Sequence, residues 1–515
     1  MVPENAAFQF NPDPMGISGS TSTYTGTYTN ELLEFYLNYG KDLGSSTLDV
    51  MAGYSWQHFG EETFSRNLDE NGLRENANAR EYYLLSLFGR VNYTLFDRVV
   101  LTATLRQDGS SRFSEQNRYG LFPAAAVAWR VIDTDRARGV LNSLKVRAGY
   151  GVTGQQEVGG YYPSQARYLE SFTTASYQFG DEFITTLRAE GYNANLKWEE
   201  TTTYNIGLDF GFFNDRLYGT IEAYQRVTED LLNFVPVPAG TNLSNFIDAN
   251  VGDLENRGLE FSLNAIPWQN DRSQWSFGFN VTRNINEITR LTAVDDPDFR
   301  GVPTGDAISG AVGNQVQINS VGYPARSFFV YQQVYDEGGS PVENLYVDQN
   351  GDGIINDQDL YRFENPAPDY FAGITSNLTV GNFDLSFAGR ANFGNYVYNN
   401  NQSNLTDFSR LYNPNGFLNN VRSDATVLNF SRPRYLSDFF VQDASFFRMD
   451  HITAGYQFNE VWGPDSKRRL RVYATVQNPF VVTNYDGLDP EVFSGIDNNL
   501  YPRARTFLFG LNLNL

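Results

Sequence analysis

Over most of this chain hydrophobic and polar residues alternate one by one. In 216–228, Leu217, Gly219, Ile221, Ala223 and Val227 fall on one face of an extended backbone and Tyr218, Thr220, Glu222, Tyr224 and Arg226 on the other, the period of two expected of a β-strand. The same split separates Leu259, Phe261, Leu263 and Ala265 from Glu260, Ser262 and Asn264. It recurs where Phe383, Leu385, Phe387, Ala391 and Phe393 oppose Asp384, Ser386, Arg390 and Asn392, and where Leu470, Val472, Ala474 and Val476 oppose Arg471, Tyr473, Thr475 and Gln477. Patterning of this kind predicts about fifteen strands, near 22–39, 47–57, 82–95, 98–107, 118–130, 144–153, 202–213, 216–228, 257–267, 274–288, 369–380, 382–393, 446–458, 469–480 and 505–515.

The links between these segments are sorted by length. Short ones such as Phe96-Asp97, Asn214-Asp215 and Gly381 alternate with long ones near 154–201, 229–256, 289–368, 394–445 and 482–504. Bacterial outer-membrane barrels have this asymmetry, with tight periplasmic turns and long extracellular loops, whereas a soluble sandwich has no reason to sort its connections by parity. The expected fold class is therefore all-β, a transmembrane antiparallel barrel. If the last strand ends in the periplasm, the alternation starts the first strand outside. Single-chain bacterial barrels have even strand numbers, and an open sheet would leave edge amides unpaired in hydrocarbon. The expectation is that further strands precede residue 1.

Composition agrees with strands rather than bundles: 15% of residues are aromatic, a group that favours strands. The formal charge, 38 minus 60 or −22, argues against a nucleic-acid partner, since a phosphate backbone calls for a basic face. There is no cysteine, so neither disulfides nor thiol chemistry are available. No run of about 18 apolar residues would make a transmembrane helix. A barrel strand, however, needs only about 10 residues and hides half its apolar signal by alternation. The opening Met1-Val2-Pro3-Glu4-Asn5 has neither the basic nor the apolar region of a signal peptide.

Leu196-Lys197-Trp198-Glu199-Glu200-Thr201-Thr202, continuing through Tyr204-Asn205-Ile206-Gly207-Leu208-Asp209-Phe210 to Asn214-Asp215-Arg216, resembles a strand pair of the SusC/RagA group of TonB-dependent nutrient importers. Asn250-Val251-Gly252-Asp253-Leu254-Glu255-Asn256-Arg257-Gly258 resembles the entry to its next strand. Gly151-Val152-Thr153-Gly154-Gln155-Gln156, Phe88-Gly89-Arg90-Val91-Asn92-Tyr93 and the closing Arg505-Thr506-Phe507-Leu508-Phe509-Gly510-Leu511-Asn512-Leu513 also match. The resemblance implies a barrel of about 22 strands, filled by an amino-terminal plug and covered by a SusD-like surface lipoprotein. About 15 of those strands would lie in residues 1–515, which would be the carboxyl-terminal part of the barrel with the plug domain absent. One departure is Leu515 at the end of the chain, where the group usually carries an aromatic residue.

One motif suggests a metal. Asp348-Gln349-Asn350-Gly351-Asp352-Gly353-Ile354-Ile355-Asn356-Asp357-Gln358-Asp359 sets oxygen donors at loop positions one, three, five, nine and twelve with glycine at six, the spacing of a calcium loop. The expected ligands are Asp348, Asn350, Asp352, Ile354 through its carbonyl, Asn356 and Asp359, holding Ca2+ in an extracellular loop; an Asx-rich turn binding nothing is the alternative. Gly149-Tyr150-Gly151-Val152-Thr153-Gly154 formally fits a dinucleotide fingerprint, but no helix pattern follows it. His58 and His451, the two histidines, join no nucleophile or zinc constellation, and no enzyme activity is expected.

Aromatic residues in the long connections are candidates for stacking on substrate: Tyr161, Tyr162, Trp198, Phe328, Phe329, Tyr331, Tyr396 and Tyr398. Rings of this kind also form interfacial girdles and pack loops together. The function implied is TonB-dependent import of an oligosaccharide or a peptide across the bacterial outer membrane, in contact with lipid, a SusD-like lipoprotein and the TonB complex. A passive pore and a calcium-stabilised surface adhesin are the alternatives.

Overall fold

A computed structural model describes residues 21–69, 72–133, 139–170, 176–237, 240, 242, 244–292, 298–308, 315–412, 416–432, 434–459, 463, 468–498 and 500–514. Met1 to Asn5 and Leu515 lie outside the described residues. Fifteen strands form one sheet, each hydrogen-bonded to its sequence neighbours. They are β1 (Thr21–Asp42), β2 (Ser46–Asp69), β3 (Gly72–Leu95), β4 (Val99–Ser110), β5 (Tyr119–Ile132), β6 (Leu141–Gln155), β7 (Glu199–Phe212), β8 (Leu217–Glu229), β9 (Asp253–Asn270), β10 (Ser273–Arg290), β11 (Tyr370–Val380), β12 (Phe383–Phe393), β13 (Phe446–Phe458), β14 (Arg469–Thr483) and β15 (Thr506–Asn514). Every predicted strand is present. No helix among the described residues is long and apolar enough to cross a membrane.

By internal contacts the chain divides into two compact units. The first comprises Met1–Val127, Gly149–Thr203 and Thr228–Gly252, and the second Ala128–Ala148, Tyr204–Val227 and Asp253–Leu515. In the first unit, β2 and β3 pair in unbroken register from Ser46↔Leu95 to Asp69↔Gly72, well beyond the predicted ends at 57 and 82. The extension carries Glu61, Glu62, Arg66, Glu75 and Arg80, so it lacks the apolar alternation on which the prediction relied. Cross-strand pairs hold it instead, among them Arg80 with Glu61 at 3.0 Å and Arg66 with Glu75 at 3.4 Å.

The second unit shows what its alternation means. Ile206, Ile221, Leu259, Val472, Phe507, Phe509 and Leu511 are all exposed. The residues between them turn to the other face and bond to one another. Arg147 donates to Asp209 (3.0 Å) and Glu222 (2.9 Å), Thr220 meets Ser262 (2.7 Å), Tyr224 donates to Asn284 (2.8 Å), and Thr453 meets Thr475 (2.8 Å). A water-soluble sheet would bury the first face and expose the second. The inversion is that of a sheet with lipid against its outer face and water against its inner one.

Turn chemistry matches the short links. Phe96 and Asp97 have φ of 50° and 55°, and Asn214 and Asp215 of 58° and 57°, the positive values that a two-residue hairpin needs to follow strand twist. The long links are folded rather than irregular. In the second unit, Val302–Thr304, Gln317–Asn319, Ser327–Tyr331 and Leu360–Phe363 form a four-stranded sheet. Its core contains Ile308, Val316, Phe328, Val330, Tyr398, Phe430, Phe440, Val441 and Ile496. Each such side chain taken from water contributes about 1.5–3 kcal/mol.

Candidate substrate-binding surfaces

In the first unit, three of the aromatic candidates have distinct places. Trp198 precedes β7 and is buried with Phe113, Phe122, Val158 and Leu196. Its ring centroid lies 5.3 Å from that of Phe113 and 5.4 Å from that of Phe122, and its Nε1 donates to the Arg118 carbonyl at 3.1 Å. Neighbouring rings and the backbone just before β5 thus occupy the indole, which anchors the connection 156–198 to the sheet. Tyr161 and Tyr162 sit over the long β2–β3 hairpin. The Tyr161 hydroxyl donates to Glu61 at 2.7 Å. Burial, reinforced by that carboxylate, pushes its pKa up to about 12, so the hydroxyl remains a donor at neutral pH. Tyr162 accepts a hydrogen bond from the Glu81 N–H at 3.1 Å, carries the Arg167 guanidinium 5.0 Å from its ring centre, and lines a cavity of about 390 Å³.

The other five candidates converge in the second unit. Phe328 and Tyr398 are fully buried members of the loop core, and Tyr396 packs against it. The sequence pattern offered these rings for stacking on substrate, but those of Phe328 and Tyr398 are enclosed by protein. Phe329 is half-buried under two guanidinium groups, Arg300 at 4.7 Å and Arg362 at 5.6 Å from its ring centre. Tyr331 pairs with Tyr346 at 5.0 Å and is half-buried beside Asp357. A separate depression of about 820 Å³ lies among the short turns, lined by residues such as Asn270, Arg272, Asn382 and Tyr456.

The Asp348–Asp359 loop is closed by hydrogen bonds. Asp348 accepts from the N–H groups of Gly351 and Gly353, each at 2.7 Å, and Asp359 from those of Gln349 (2.9 Å) and Asn356 (2.8 Å). Asn350 accepts from Asp352 N–H at 3.0 Å, and Asp352 accepts from Ile354 N–H at 2.8 Å. Asn356 caps a short 3-10 turn over Asp357–Asp359. Gly353, the sixth position, has φ +80°, a conformation that favours glycine. The N–H of Asn356, with those of Gln349 and Asn350, holds the Asp359 carboxyl below its ordinary range. Among the described residues no group of three His, Cys, Asp or Glu side chains is placed to hold a metal ion. The carboxylates that sequence spacing assigned to calcium here accept backbone N–H groups, and each oxygen keeps a further lone pair.

A feature with no signature in the sequence pattern lies around segment 484–505. Arg448 and Asp489, both almost wholly buried, pair at 2.6 Å. Arg503 reaches Asp489 at 3.3 Å and Glu491 at 2.8 Å, and Arg390 reaches Asp450 at 2.7 Å and Glu491 at 2.8 Å. The partners come from β12, β13 and the segment before β15, so no local spacing could reveal them. His58 lies in β2 between Glu31 (2.9 Å) and Glu81 (3.0 Å), stacked on Tyr83, and His451 lies in β13. The glycine-rich 149–154 falls inside β6.

Comparison with known proteins agrees with this architecture. Residues 4–478 match the family described as TonB dependent receptor-like, beta-barrel. The chain is 44% identical over 523 residues to the TonB-dependent receptor SusC of Bacteroides thetaiotaomicron, covering 98% of this chain and 52% of that protein. It is 30% identical to the TonB-dependent receptor P3 of Formosa agariphila, covering 97% of this chain and 53% of that protein. The chain spans about half the length of the curated relatives it matches. The solved structure of the RagAB peptide transporter superposes with a TM-score of 0.78 at 21% identity, over 96% of this chain and 56% of that one. With sheet, turns, inverted faces and family match in accord, the chain belongs to the TonB-dependent receptor β-barrel family of the bacterial outer membrane.

Proposed function

We propose that this chain is the barrel portion of an importer that takes up an oligosaccharide through the outer membrane, driven by TonB and covered by a SusD-like surface lipoprotein. The observation that carries the reading is its 44% identity to SusC across 98% of the chain. The sheet supports it: a polar, hydrogen-bonded face suits a hydrated lumen, and folded loops suit capture outside. A peptide is the second substrate class, since the RagAB structure is that of a peptide transporter. Deleting the gene that contains this chain should abolish growth on one class of oligosaccharide as sole carbon source, and a protonophore should stop uptake in the wild type. Normal growth of the deletion strain on every oligosaccharide would refute the reading. Uptake that survives the protonophore, with a large open conductance in planar bilayers, would make the protein a passive pore.

We further propose that the Asp348–Asp359 loop takes a calcium ion in the extracellular medium. Its support is the donor spacing together with the glycine turn at Gly353, the sixth position. Asp348, Asp352 and Asp359 would supply the charge, and the ion would stiffen the loop without reacting. Chelation should increase hydrogen exchange across 348–359 in the wild type but not in Asp348→Asn. Equal exchange with and without chelator in both proteins would refute it.

A further inference from the structure

In the first unit, Leu232–Pro236 and Phe246–Asn250 form a hairpin in which Phe234 stands opposite Asp248, and Pro236 opposite Phe246. Residues two apart on one strand share a face, so Phe234, Phe246 and Asp248 project together. The two rings stack at 5.4 Å with their planes only 20° apart, and both are exposed. An exposed stacked pair is costly in water unless something covers it. Beside it is the cavity of about 390 Å³, whose lining includes Phe234, Phe246, Asp248, Tyr162 and Arg167.

The polar groups of this cavity are unequal. Arg167 is neutralised by Glu190 at 2.5 Å. Asp248 has no hydrogen-bond or ionic partner for its carboxylate among the described residues; its backbone carbonyl accepts from Asn193, and burial raises its carboxyl above the ordinary range. A half-buried carboxylate with free lone pairs calls for donors from outside the chain. The opposite wall is bare: a Cβ added at Gly159 would meet only the Asp248 carboxylate, at 3.8 Å, and one at Gly160 would barely touch Pro163. Gly191, by contrast, lies so close that a Cβ would come within 2.5 Å of Ser244, which fixes the hairpin against the neighbouring loop. The opening is thus shaped by glycines on one side and by rings and an acceptor on the other.

We infer that this cavity is a binding subsite for a neutral oligosaccharide, with the Phe234–Phe246 pair stacking on the apolar face of a sugar ring and Asp248 accepting from its hydroxyls. The assignment rests on the import reading above. The two cations of the lining, Arg167 and Arg188, are matched by the two anions Glu190 and Asp248, so the cavity has no net charge to draw an ionic ligand, and the volume is near the lower end of ligand sites, suiting a disaccharide-sized portion of a longer chain. Gly159 and Gly160 leave the space in which that portion lies.

The full-length protein, purified from outer membranes with its partners, should be titrated with neutral gluco-, manno-, xylo- and fructo-oligosaccharides and with a casein digest. Phe234→Ala, Asp248→Asn and the space-filling Gly159→Leu should each weaken binding of the preferred sugar by about tenfold or more. Heat-modifiable migration in gels should show all three variants folded; Gly159→Leu adds atoms on the surface loop and removes no contact, so it reports even if the others do not assemble. Affinities within about twofold of wild type, in a protein whose gene deletion abolishes growth on that sugar, would overturn the subsite and leave the import reading standing. A deletion strain with normal growth would remove both. Loss of peptide binding in these variants with sugar binding unchanged would overturn the sugar assignment.

Discussion

Trp198→Ala separates a ring that builds the protein from a ring that binds its cargo. The indole is 6% exposed, contacts Phe113 and Phe122 edge-on or tilted, and donates to the Arg118 carbonyl at 3.1 Å. Truncating a buried Trp to Ala costs about 3–5 kcal/mol through lost transfer energy and the cavity left behind. Because the indole joins the connection 156–198 to β5 and to the link that precedes it, the loss falls on local opening of that connection. At RT of about 0.6 kcal/mol it corresponds to a rise of about 10² to 4 × 10³ in the opening constant. Hydrogen exchange at the amides of 195–200, read by mass spectrometry, should accelerate by that factor while β7 amides farther along stay protected. Trp198→Phe keeps the ring contacts and gives up the indole hydrogen bond, so it should cost only about 0.5–1.5 kcal/mol. Unchanged exchange in Trp198→Ala, with substrate affinity lost, would refute the anchoring role and restore the residue as a stacking platform.

Three further outcomes follow from named contacts. Arg448→Met removes the buried partner of Asp489 and should destabilise segment 484–505 by about 3–5 kcal/mol, seen as faster cleavage there by external protease; cleavage at the wild-type rate would show that Arg503 alone suffices. Gly219→Ala would place a Cβ 2.1 Å from the Ser262 backbone carbonyl, a clash that no side-chain rotation relieves. It should lower assembled protein in the outer membrane by a cost of about 1–3 kcal/mol, and normal abundance would contradict the close pairing of β8 with β9. Glu343→Ala strips acceptors from Ser431 and Arg432 and the partner of Arg434; exchange should rise at 431–434 and not in β12.

Strand identity was legible because the period-two pattern answers to a local cause: each residue faces either lipid or the interior, and its neighbour faces the other way. Leu259 and Glu260 or Leu470 and Arg471 declare this without reference to any distant residue. Turn links such as Phe96-Asp97 and Asn214-Asp215 were legible for the same reason. The polar reach of β2 and β3 was not, since beyond about Phe59 apolar residues are reduced to a few such as Phe64 and Leu68 among charged ones, and the hairpin is held by pairs such as Arg80 with Glu61.

The order of the strands, the alternation of short and long connections and the greasy face of each strand are written in the residue pattern. What the long connections do emerges only from packing: Trp198, Phe328 and Tyr398 are core, Asp348 and Asp359 accept backbone N–H groups, and Phe234, Phe246 and Asp248 share a face beside an open cavity. The difference lies in the range of the forces involved. A strand's face is set by the solvent on either side of it, whereas a loop side chain is buried or left open by partners tens of residues away, brought to it by packing that no periodicity records.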